Sequence, residues 1–113
     1  LKPTGARIDM NLGRVVGTVV STSKDENLEG LKLLVVQHVR PDLTGTTAYT
    51  VAADGIGAGH GDYVLIVTGS SARMGSRVKN RPLDASVLAI VDVVELEGRI
   101  TYSKGEPAGI GRN

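Results

Sequence analysis

The apolar residues of this chain come in short runs dominated by β-branched side chains. Such side chains stiffen χ1 and favour the pleated surface of a sheet over a helix. Arg14 to Ser21 (RVVGTVVS) reads as a first strand with both faces suited to partial burial, and Leu31 to His38 (LKLLVVQH) as a second. The polar stretch Thr22 to Gly30 joins them as a long hairpin connection. Pro41, Asp42 and Gly45 punctuate the chain before a short third strand at Tyr49 to Ala53. Tyr63 to Thr68 (YVLIVT) is a continuous apolar run of strand length, as a central buried strand requires. Gly69 to Arg73 is expected to form one helical turn with Ser70 or Ser71 as its N-cap. Ser86 to Leu96 (SVLAIVDVVEL) is the last long apolar run, and Glu97 and Gly98 then turn the chain into Arg99 to Tyr102, a terminal hairpin.

Five or six short strands with frequent turns and almost no helix predict a compact all-β barrel or sandwich. The 113 residues suit one domain, whose modest core favours burying further surface between subunits. Residues 1–9, with Pro3 and Gly5, read as an extension before a start at Met10; residues 10–102 read as the domain and 103–113 as a glycine-rich tail. The net charge of +1 gathers neither polyanions nor anionic lipid, no apolar run approaches membrane-spanning length, and cysteine is absent. A cytoplasmic protein whose partners are selected by shape is the expectation, with neither thiolate metal ligation nor disulfides.

The densest signal is DGIGAGHGD, Asp54 to Asp62, in which Gly55, Gly57, Gly59 and Gly61 alternate with other residues. A dinucleotide fingerprint needs glycine where His60 or Asp62 stands, and no crossover helix follows. A phosphate-cradling loop needs Lys and Ser or Thr after its last glycine, where this chain has Asp62 and Tyr63. What fits is a tight turn or a close-packed subunit contact around a narrow opening, set against an ordinary flexible loop.

Other chemistry is thin. His38 and His60 are far apart and lack a metal-ligand spacing. Ser70 and Ser71 follow Gly69, but Arg73 occupies the position where a nucleophile elbow needs glycine. Asp54, Asp62, Asp84 and Asp92 make a catalytic carboxylate pair only if the fold gathers them. The basic cluster Arg73, Arg77, Lys79 and Arg81, at and within the loop of residues 74–82, reads as solvated by default, with a contact function as the alternative. No cofactor, metal or catalytic residue is assigned.

Three blocks, GRVVGTVVSTSKDENLEGLKLLVVQ (Gly13 to Gln37), VAADGIGAGHGDYVLIVTGSSAR (Val51 to Arg73) and RPLDASVLAIVD (Arg81 to Asp92), resemble the vertex-protein family of bacterial microcompartments, found in carboxysomes and metabolosomes. The middle block is the specific one. The resemblance implies a closed five-stranded OB-like β-barrel that forms a homopentamer, caps the five-fold vertices of a shell and meets hexameric shell proteins at its rim. It also implies that Asp54, Gly55, Gly57, Gly59 and Gly61, with Gly69, Ser70, Ser71, Ala72 and Arg73, lie at the subunit interface or central opening. A structural, non-enzymatic shell protein is therefore expected. An OB-like nucleic-acid-binding module is the alternative, and it asks for more stacking aromatics than Tyr49, Tyr63 and Tyr102 supply, and for a basic groove.

Overall fold

The computed structural model describes residues 9–20, 32–69 and 85–105. Seven strands are present among the described residues: β1 (Asp9–Val19), β2 (Lys32–Val39), β3 (Gly45–Asp54), β4 (Tyr63–Thr68), β5 (Ala85–Ile90), β6 (Val93–Leu96) and β7 (Arg99–Ser103). The first five close into a barrel in the order β1-β2-β3-β5-β4, and β6 with β7 forms a separate two-stranded sheet. A closed barrel replaces the barrel-or-sandwich choice left open by the sequence.

β1 makes the closure because it is long enough to serve two neighbours. Its first half pairs with β4 from Asp9↔Thr68 to Arg14↔Tyr63, and its second half pairs with β2 from Gly13↔His38 to Val19↔Leu33. Gly13 belongs to both ladders, and a Cβ there would collide with Val36 Cγ1 and lie 2.9 Å from the Gln37 carbonyl oxygen. A register shift between Val15 and Gly17 bends the strand at this point, as a bulge does. Strand alternation then sends Val15, Leu34, Val36, Ala52, Val64, Ile66, Ala85 and Val87 inward, with Ala58 of the glycine loop completing the core. The interior is narrow enough that alanine fills three of these nine positions.

Several boundaries differ from the expectation. β1 starts at Asp9, five residues before Arg14, because the polar residues Asp9 and Asn11 pair with β4. β3 starts at Gly45 and not at Tyr49, since its Thr-rich first half already pairs with β2 from Val39↔Gly45 onward. The run from Ser86 to Leu96 is two strands: the Val91 amide donates to the Tyr63 carbonyl at 2.8 Å, and the chain leaves the barrel at Asp92. The terminal hairpin is as expected. Glu97 and Gly98 both have positive φ, 53° and 83°, the geometry that matches the twist of a two-residue hairpin. The 22–30 connection, the helical turn and Ser70 to Arg73, the basic loop 74–82, and the ends 1–8 and 106–113 lie outside the described residues.

Closure of the barrel is uneven. β3 meets β5 in parallel through one pair, Ala53↔Ser86, so among the described residues no strand lies along β3 from Gly45 to Ala52 on that side.

Candidate functional site: the glycine loop and its carboxylates

The loop from Asp54 to Asp62 leaves the end of β3 and returns to the start of β4. Two aspartates hold it. The Asp54 side chain is fully buried, and its Oδ1 accepts from the Ile56 amide at 3.1 Å and the Gly57 amide at 3.2 Å, while Oδ2 accepts from the Ala58 amide at 2.9 Å. Lys32 Nζ donates to the Ala58 carbonyl at 2.9 Å and lies 3.6 Å from Asp54 Oδ2, so the buried carboxylate has a cation beside it. Asp62 does the same work at the other end: its Oδ2 accepts from the Gly59 amide at 2.9 Å, and its own amide donates to the Gly59 carbonyl at 3.0 Å. The Gly61 amide then donates to the Val15 carbonyl, and the Val15 amide to the Asp62 carbonyl, pinning the loop to the bend of β1.

The loop is therefore a hydrogen-bonded turn, and the flexible alternative is set aside. The glycines of the loop serve different purposes. Gly57 and Gly61 have φ of 92° and 90°, in the left-handed region that disfavours a side chain. Gly59 has no such φ, and a Cβ on it would meet only Asp62 Oδ2, at 3.9 Å. Gly69 also has a positive φ of 78°, at the end of β4.

Asp62 carries a second link. Its Oδ1 accepts from Lys104 Nζ at 3.2 Å, and next to it Tyr63 packs on Tyr102 with ring centroids 4.6 Å apart. The terminal hairpin is thus fastened to the end of the glycine loop, with Thr101 Oγ1 also donating to the Pro41 carbonyl at 2.9 Å. The Gly59 amide, first, and Lys104 hold the Asp62 carboxyl below its ordinary range.

The structure brings Asp54 and Asp62 into one loop, Asp54 accepting three backbone amides and Asp62 one amide together with Lys104, which is the chemistry of a scaffold. Sequence reasoning missed Lys32 and Lys104; nothing in their spacing marks them, because both reach the loop through tertiary contact. Among the described residues no group of three or more His, Asp or Glu is placed to hold a metal ion. His38 instead bonds Thr50 Oγ1 through Nε2 at 2.6 Å. Tyr63 and Tyr102 occupy each other, which leaves Tyr49 as the exposed aromatic ring.

A family model described as ethanolamine utilisation protein EutN/carboxysome matches residues 10–92. The chain belongs to that family. The carboxysome shell vertex protein CcmL of Synechococcus elongatus is 46% identical over 97 residues, spanning 86% of this chain and 98% of the relative. Among solved structures, CcmL of Gloeobacter violaceus superposes with a TM-score of 0.80 at 42% identity, covering 85% of this chain and 99% of that one. The GrpN pentameric microcompartment shell protein of Rhodospirillum rubrum superposes with a TM-score of 0.70 at 46% identity, covering 76% and 98%. The expected OB-like barrel is the fold of this EutN/carboxysome family, and the resemblance read from the three sequence blocks is correct.

Proposed function

We propose that this chain is a structural subunit of a microcompartment shell, that it assembles as a homopentamer, and that the pentamer caps a five-fold vertex. The observation that carries this reading is identity above 40% to shell vertex proteins over almost their whole length, within one barrel fold. Its activity is curvature, with no reaction catalysed, and its further partners are hexameric shell proteins along the rim. A five-fold ring is a closed circle of heterologous contacts, in which one patch of each subunit meets a different patch of the next. The glycine loop, with Asp54, Gly55, Gly57, Gly59 and Gly61, lies at the subunit contact and borders the central opening, joined by Gly69 and the segment Ser70 to Arg73. A loop tied down by the hydrogen bonds of two aspartates supports this, since it offers backbone in a fixed shape for close approach.

Native mass spectrometry and light scattering test the reading. The expected mass is five times the 11.8 kDa of one chain, independent of dilution through the working range. A chain that stays monomeric or dimeric at every concentration overturns it.

A further inference from the structure

The family model matches residues 10–92 and so stops where the chain leaves the barrel, with the hairpin of β6 and β7 outside it. GrpN, a pentamer, spans 76% of this chain while 98% of its own length is covered, which leaves that relative little sequence for such a hairpin. The hairpin is nonetheless held firmly. Tyr102 packs on Tyr63, Thr101 Oγ1 donates to the Pro41 carbonyl at 2.9 Å, and Lys104 Nζ donates to Asp62 Oδ1 at 3.2 Å. These ties are made by β7 and the turn after it. β6 is the strand left over, and among the described residues no strand pairs with its outer edge.

The register separates the two faces of this small sheet. Val94↔Tyr102 and Leu96↔Arg99 lie on the face that meets the Tyr63 ring, and Val93↔Ser103 and Glu95↔Ile100 lie on the other. On that outer face Val93 is 53% exposed and Ile100 60%, with Glu95 beside both. Glu95 and Glu97 are exposed, and neither forms an ion pair with another described residue. The backbone is equally open. The Lys104 amide donates to the Asp92 carbonyl at 2.7 Å, so antiparallel alternation turns the amide and carbonyl of Val93 away from β7 and out to the free edge.

We propose that the outer edge of β6 receives an extended segment of another protein, one that carries branched apolar residues together with lysine or arginine. Main-chain hydrogen bonds to the open edge supply the affinity, and side chains on the outer face supply the choice of guest. An apolar guest residue lies against Val93. A guest lysine answers Glu95 with its charge and covers Ile100 with its aliphatic stem. The same carboxylates exclude another copy of this hairpin, because laying one β6 on another sets glutamate against glutamate, the usual way in which a charged edge avoids pairing with itself. An edge already fixed by its ties to the barrel loses little freedom on binding. The proposal goes beyond the vertex reading and does not depend on the ring.

Fluorescence anisotropy with two labelled eight-residue peptides tests this on the full chain at low ionic strength, where ion pairs are least screened. Threonine fills every second position of both, and valine takes turns in the remaining places with lysine in one peptide and with glutamate in the other. The lysine peptide is expected to bind the unaltered chain roughly tenfold tighter, and the double variant Glu95→Lys, Glu97→Lys is expected to reverse the order. Val93→Pro is expected to abolish binding, since it removes the outward amide at the first residue of a strand, where proline is tolerated, whereas Val93→Thr keeps it. If Val93→Pro fails to fold, a lysine peptide methylated at every amide makes the same test on the unaltered chain and is expected not to bind. Hydrogen exchange of the complex is expected to slow in β6. A preference that the charge swap leaves unchanged, binding that survives loss of the edge hydrogen bonds, or protection gained only outside β6 overturns the proposal. So does a change of particle mass in the double variant, which gives the face to a second copy. A chain that sorts the peptides without forming pentamers sinks the vertex reading alone.

Discussion

Two glycines two residues apart in the same loop answer to different constraints. Gly61 sits at φ 90°, so Gly61→Ala imposes left-handed strain of about 1–2 kcal/mol on the subunit, whereas Gly59→Ala leaves its stability almost unchanged. Urea unfolding measured below the assembly concentration separates them: the midpoint drops for Gly61→Ala alone. The carboxylates are equally specific. The folded-state pKa of Asp62 lies below its ordinary value near 3.8, held there by the Gly59 amide and by Lys104. A depressed carboxyl stabilises the fold fully above its unfolded pKa, and that contribution is lost as pH falls through the folded value. Asp62→Asn is therefore expected to flatten the acid arm of the stability curve below about pH 4 relative to the unaltered chain. None of this was legible from the spacing of residues 54–62. Glycine alternation marks the loop, but which glycine needs a left-handed backbone depends on where the amides point, and that is set by two aspartates first weighed as a catalytic pair.

At the scale of elements, the strands legible in the sequence were those buried and dense in branched residues, β2 and β4 above all. β1 and β3 were cut short because Asp9, Asn11, Gly45, Thr46 and Thr47 carry no apolar signal, although each forms ladder pairs or lies within a paired strand. The break at Val91 and Asp92 was hidden for the opposite reason: the run stays apolar across it while the chain passes from one sheet to another. The hairpin that follows is too small to be stable alone, since two strands bury too little surface. Its order comes from Tyr102 on Tyr63, from Lys104 on Asp62 and from Thr101 on the Pro41 carbonyl. Tyr102→Ala should loosen β6 and β7 while leaving the barrel intact. The expected record is faster amide exchange confined to residues 93–105, with unchanged protection in β2 and β4.

For the whole molecule, the consequence lies in how the barrel shuts. Nearly every neighbouring pair of strands shares a long ladder, yet β3 and β5 share one rung. A circle fastened by a single clasp springs there first, and a subunit adrift in solution is expected to gape along that line more often than anywhere else in the barrel. Deuterium uptake at Tyr49 to Ala53 should be rapid in the subunit below its assembly concentration and slow several-fold in the assembled ring; equal uptake in both would show the clasp needs no help. If it slows, joining the circle of five is also the last step of each subunit's own folding, and the corner piece is sturdy only in company.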